Sequence, residues 1–278
     1  SKIVLSTFFY LSALICYIQY MRNSKWQYLL ASVVSSILAM GCKEQSVIIV
    51  PCLLLFDWML FKRNMRSLKV YIEKVYYLIP AIAIFIVTLV ANKNTGEEII
   101  GYTIVDRFIF LCYSSFKYLL ISAIPFKLSY LYPFPFQVGE KIPMALWIYP
   151  FVILFIGYVI YLNRRKPLLV FCTLFFILHL LPVLHVIPLP RYVVAADRYL
   201  YIPYIAFAIG LSILSYHLYE RQRKWILYAG FLYCSYLCVY TAGYAPAWKN
   251  SDTLKEHFKE VLKKRETNLS INFKHEKQ

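Results

Sequence analysis

Eight long apolar runs, at residues 3–21, 26–42, 46–61, 75–91, 144–162, 167–188, 199–218 and 225–243, dominate this chain of 278 residues. A helix that crosses a bilayer needs about 20 mostly apolar residues. In lipid its backbone polar groups must be satisfied within the segment itself. The pattern predicts an all-α fold, a polytopic transmembrane helical bundle of about eight spans. Run 46–61 is short, carries Pro51, and has Asp57 near one end, where the carboxylate would reach headgroups. A ninth run, 108–126, holds Lys117 at its centre among Ser114, Ser115 and Ser122, and reads as an interfacial or re-entrant helix.

Orientation follows from basic knots between the runs: Arg22 and Lys25; Lys62, Arg63, Arg66 and Lys69; Arg164, Arg165 and Lys166; Arg221, Arg223 and Lys224. If run 108–126 does not cross, all four share one face, which the positive-inside rule makes cytoplasmic. The outer face then receives Lys43-Glu44-Gln45, the loop region 92–143, Asp197-Arg198 and the C-terminus. The basic tail pulls the other way, but moving it inside would send two tight knots out. A membrane domain is expected over residues 1–247 and an outer-face tail over 248–278. In that tail Leu254, Phe258, Val261 and Leu262 make an apolar stripe at helical spacing, with Thr253 and Glu256 as a capping box. Asn268-Leu269-Ser270 matches a glycosylation acceptor.

The chain is 60% hydrophobic and 16% charged, against about 45–50% and 25% in soluble domains, which decides for the membrane class. The formal charge of +16 sits in the knots beside anionic lipid, so nucleic acid is not an expected partner. Six of the seven cysteines lie inside apolar runs and Cys42 at the end of one, with no CxxC spacing; neither metal nor cofactor is expected. Ser/His/Asp arrangements, a phosphate-binding glycine loop and HExxH are not seen, which leaves soluble nucleotide chemistry unsupported. Run 3–21 is too long for a signal peptide and has no cleavage site. The opening at Ser1 reads as a cut through a larger, integral multi-pass protein. A bacterial cytoplasmic membrane is the expected location, or the endoplasmic reticulum in a eukaryote.

Four polar clusters converge on the outer face: Lys43-Glu44-Gln45, residues 124–135 with their prolines and aromatics, residues 180–188, and Asp197-Arg198-Tyr199. A charge at bilayer depth costs roughly 2.5–3.5 kcal/mol on insertion scales, so such residues face a bundle interior or a polar cavity. The plainer alternatives are a hairpin turn at Lys43-Glu44 and an interfacial anchor at Arg198 and Tyr199. His179 and His185 are six residues apart, more than one turn, and read as core or interfacial histidines. Cations and aromatics at an outer membrane face suit glycosyl transfer from a polyprenyl-phosphate sugar. There Arg or Lys would stabilise charge growing on the leaving phosphate, and a separate carboxylate would act as general base. The donor-phosphate candidates are Lys43, Glu44, Asp197, Arg198 and Tyr199. Asp197, beside Arg198, is expected to stay ionised with a lowered pKa, an orienter rather than a base.

At these clusters the chain resembles the membrane glycosyltransferases of the GT-C fold. It is most similar to the transmembrane and tetratricopeptide-repeat-containing protein O-mannosyltransferases and their bacterial relatives. The similar segments, in the family's order, are Leu38 through Pro51 with Asp57-Trp58, Pro125 through Pro135, Leu181-Pro182-Val183 through Pro188, Ala196 through Pro203, and Trp248 through Leu254. The resemblance implies inverting transfer of a sugar, with mannose as the candidate, from a lipid-phosphate donor to an outer-face protein or glycan acceptor such as Ser/Thr. It also implies about eleven spans, of which this chain would hold the last eight. The family's catalytic acids lie in a first outer loop that no segment here replaces, so the catalytic residues are expected upstream of Ser1 and the chain alone is expected to transfer no sugar. Two other functions fit the same residues: a membrane scaffold presenting its tail, and a transporter of a lipid-linked sugar.

Overall fold

The computed structural model describes residues 2–93, 102–126, 128–129, 131–185, 193–220, 225–250, 252–254, 256 and 259. Among these residues the chain is all-helical: α1 Lys2–Asn23, α2 Trp26–Cys42, α3 Ile49–Met59, α4 Leu68–Lys93, α5 Ile104–Ala123, α6 Ile148–Leu162, α7 Pro167–Leu180, α8 Pro203–Glu220 and α9 Trp225–Tyr244. Four helices are long and apolar enough to cross a membrane: Lys2–Asn23, Leu68–Thr88, Met144–Leu162 and Trp225–Trp248. Trp26–Cys42 and Pro167–Val183 are apolar but shorter.

Proline explains several boundaries. Pro167 and Pro203 open α7 and α8, where a missing N–H costs nothing and the fixed φ suits the first turn. Pro51 sits in the first turn of α3 for the same reason, after a short 3₁₀ turn over Glu44–Ile48. Run 167–188 stops being α-helix at Leu180 because Pro182 follows; Leu181 keeps helical dihedrals, but proline has no N–H to donate to the carbonyl four residues back.

Small residues set the tightest packing. Ala13, Ser32, Ser36 and Ala39 are all fully buried where α1 meets α2, as expected where helix backbones approach closely. The Ser32 hydroxyl donates to the Ala13 carbonyl at 2.7 Å and accepts from the Tyr77 hydroxyl at 2.8 Å, which ties α4 to the pair. Helices α6 and α9 bury no residue. Their exposed side chains are largely apolar, the pattern of a helix surrounded by lipid or by further helices.

The end opposite the basic knots carries the site. There α5 touches end elements along its length: Phe110 meets His185, Tyr113 and Phe116 meet Tyr149 at the head of α6, and the Tyr118 hydroxyl accepts from the Ala196 N–H. At its C-terminal end α5 reaches further along the bundle, where the Ala123 carbonyl accepts from the Tyr233 hydroxyl, midway along α9. Tyr132 and Ala195 form an isolated antiparallel bridge that pins the loop after α5 to the stretch before α8. At the tail, the capping residue is Asn250, not Thr253: its side chain accepts from the Thr253 N–H at 2.7 Å. The rest of the tail stripe, Asn268 and the knot at 221–224 lie outside the described residues.

Candidate functional site

Helix α2 ends at Cys42, and Lys43 follows in an extended conformation, capped by its own N–H to the Ala39 carbonyl. The turn Glu44–Ile48 then packs under α1. Ser6 of α1 donates to the Ala39 carbonyl at 3.1 Å, so Ser46 must supply the proton of the 2.8 Å Ser6–Ser46 contact. From the far side of the sequence, a 3₁₀ turn over Asp197–Leu200 brings in Arg198 and Tyr199. Lys43, Gln45, Ser46, His179, Arg198 and Tyr199, with Ser6 and Thr7 of α1, supply the polar lining of a small pocket of about 40 Å³ that Ile3, Ile48, Tyr201, Ile202 and Pro203 complete.

His179 forms its wall toward α1. Its Nδ1 lies 2.8 Å from the Phe175 carbonyl, which can only accept, so the neutral ring carries its proton there. Nε2 then accepts from the Tyr10 hydroxyl at 2.8 Å. The pocket's charge comes from Lys43 and Arg198. Glu44 is half exposed beside it and pairs with Lys43 at 3.0 Å. The Arg198 guanidinium lies over the Tyr199 ring, 5.2 Å from its centre.

Asp197 does not join them. No ion pair links it to Arg198 among the described residues, because neighbours on a 3₁₀ turn point about 120° apart. Its two carboxylate oxygens are buried without a well-formed hydrogen bond. The expectation of a lowered pKa is therefore corrected: burial pushes Asp197 up to about 7, offset only partly by Tyr132, the Ser129 N–H and Lys117. The folded protein holds this proton between about pH 4 and 7, where an unfolded Asp has lost it, so stability falls as pH rises through that window. Asp197→Asn, neutral throughout, is expected to raise stability by on the order of 2–4 kcal/mol at pH 8. Melting curves of the two proteins should converge near pH 4. A gap unchanged by pH would show that the carboxylate is not strained.

The second charged cluster was not anticipated. Asp57, expected among headgroups, is fully buried at the basic end and pairs with Lys74 at 2.6 Å. It accepts a 2.6 Å hydrogen bond from the Tyr17 hydroxyl, while Arg63 grips Glu73 through two nitrogens at 2.6 and 3.2 Å. Two acids meet two bases, so the network needs no ligand; it ties α1, α3 and α4 together. The signal was an Asp inside an apolar run, which in a membrane demands a partner.

Between α3 and α7 runs an open-sided apolar groove of about 440 Å³, lined by Pro51, Leu54, Leu55 and Trp58 on one wall and by Leu174, Ile177, Leu178 and Leu181 on the other, with Met65 also contributing. Pro51 and Leu181 line it at the end away from Met65, and it shares no lining residue with the pocket of Lys43 and Arg198. No protein-family model, no curated protein and no solved structure matches the chain.

Proposed function

We propose that this chain is part of a membrane glycosyltransferase of GT-C kind, moving a sugar from a polyprenyl-phosphate donor to an outer-face acceptor. The observation that carries the reading is the meeting of Lys43 and Arg198, far apart in sequence, in one small polar pocket at the outer end. The size supports phosphate: a water needs about 10–15 Å³ of such space, so 40 Å³ suits a phosphoryl group but not a sugar as well. The sugar would lie beyond the pocket mouth, toward the acceptor. Arg198 would meet phosphate oxygens with its planar fork and Lys43 as a point charge. The two together would stabilise the leaving phosphate as charge builds on it.

The lipid tail would leave the pocket past its own apolar lining, Ile3, Ile48, Ile202 and Pro203. Eight spans remain part of this reading, with α2, α3, α7 and α8 making the crossings beyond the four long helices. The ordered segments similar to the O-mannosyltransferases favour mannose and a hydroxyl acceptor on protein. Asp197 is outside the pocket lining, so no proton transfer is assigned to it.

A direct test compares farnesyl phosphate with farnesol, which shares the tail but lacks the charge, on the purified chain in zwitterionic nanodiscs. The phosphate should bind at least about tenfold tighter, since a charge-assisted hydrogen bond contributes about 1.5–3 kcal/mol. Equal binding of the two would remove the phosphate from the account.

A further inference from the structure

Asp197 and Arg198 share one 3₁₀ turn but face different surroundings. Arg198 lines the outer-end pocket, and Asp197 does not. The Asp197 carboxyl is buried instead among groups from other segments: Tyr132 and the Ser129 N–H in the loop after α5, Lys117 on α5, and Tyr244 at the end of α9. The Lys117 Nζ lies over the Tyr132 ring, 4.9 Å from its centre. The Tyr132 hydroxyl accepts from the Ser129 N–H at 3.0 Å, so its own proton is available to Asp197. Tyrosine and lysine ordinarily titrate near about 10, which makes Asp197 the member of this cluster whose charge changes near neutral pH.

The backbone leading into the turn is firmly tied. The Tyr132 N–H donates to the Ala195 carbonyl at 3.0 Å, and the Val194 N–H to the Tyr132 carbonyl at 2.9 Å. The Ala196 N–H donates to the Tyr118 hydroxyl at 3.2 Å, and His185 Nε2 lies 3.0 Å from the Val194 carbonyl. A carboxyl on so restrained a backbone keeps its place when it ionises. Neighbouring Cα atoms are about 3.8 Å apart and the two side chains diverge by about 120°, so the charged ends stand on the order of 10 Å apart. Resting on the reading of the pocket as a phosphate site, we propose that Asp197 sets how strongly Arg198 and Lys43 hold the phosphate: protonated, it leaves their field intact, and ionised, it opposes the bound anion. Burial already pushes the carboxyl up to about 7. The neutral form prevails below that pH, so phosphate is held most tightly there and less tightly as pH rises through about 7. By linkage, a bound anion favours the protonated form in turn. Asp197 exchanges no proton with the substrate.

The test is binding of a farnesyl methyl phosphodiester to the purified chain in zwitterionic nanodiscs. The pH runs from about 5.5 to about 8.5, a range over which a diester keeps one charge while a monoester gains a second near about pH 6. Wild-type affinity should fall about threefold to tenfold across it, the effect of one charge on the order of 10 Å away. Asp197→Asn, neutral throughout, should keep the wild type's low-pH affinity at every pH. Farnesol, which carries no charge, should show no such fall. Protonation of His179 in the pocket wall, or of His185 beside Val194, would also favour an anion at low pH. A slope that survives in Asp197→Asn therefore belongs to a histidine and overturns the proposal. A flat wild-type profile overturns it too, as does an equal fall for farnesol, which would mean that the pocket changes shape rather than charge. Arg198→Ala tells this failure from that of the phosphate site. If it weakens the diester at every pH while the wild type is flat, Asp197 has no part and the phosphate site stands. If Arg198→Ala binds the diester like wild type, the phosphate site falls, and the proposal with it.

Discussion

Arg198→Ala is expected to lower sugar transfer by the full-length protein by about 100-fold or more, the usual loss when a preorganised donor is removed from a developing charge. Arg198 lines the 40 Å³ pocket with Lys43, and its removal would leave one cation to carry the leaving phosphate. Arg198→Lys should recover little, since an ammonium lacks the planar fork. Lys43→Met should also impair transfer, though less, because Lys43 already shares its charge with Glu44 at 3.0 Å. The measurement is initial transfer rate in membranes, with insertion checked by protein level. Near-normal transfer by Arg198→Ala would reduce Arg198 and Tyr199 to an interfacial anchor.

The second large effect concerns stability. Lys74→Met should destabilise the protein by about 3–5 kcal/mol, because it removes the closest cation from a buried carboxylate. Asp57 is fully buried, and its next cation, Arg63, is 3.5 Å away and engaged mainly with Glu73. Asp57→Leu alone should cost a comparable amount by stranding Lys74, which is 3% exposed. The double variant, with both charges replaced by apolar groups, should recover much of the loss. Thermal melts in detergent read this as a non-additive cycle. Additive losses would mean that the 2.6 Å pair contributes nothing as a pair.

The helices were legible in the sequence because most apolar runs are long and their breaks carry proline or basic residues. Trp26–Cys42 was placed to the residue and most other helices fell within or close to their runs, but α4 begins at Leu68, two turns before run 75–91, and those turns carry Glu73 and Lys74. What the runs could not show is which polar residues meet. Adjacency suggested that Asp197 pairs with Arg198; the 3₁₀ turn over Asp197–Leu200 sends the two side chains different ways. The opposite error occurred at Asp57, whose partners Lys74, Tyr17 and Arg63 lie on other segments. Spacing alone makes His179 a core or interfacial histidine, and its place at the pocket wall depends on Tyr10, from another helix. Pairing across helices is set by packing, which a single sequence does not encode locally.

The central claim is that the outer-end pocket holds the phosphate of an isoprenoid lipid. It is tested most directly by photolabelling the purified protein with an isoprenyl monophosphate whose first isoprene unit carries a photoreactive group, followed by peptide mapping. The account predicts labels at residues 43–51, 178–181 and 198–203, lost in excess unlabelled farnesyl phosphate and reduced in Arg198→Ala. Labels confined to the basic end, at residues 60–74 or 162–168, or spread evenly over the exposed helices α6 and α9, would contradict it.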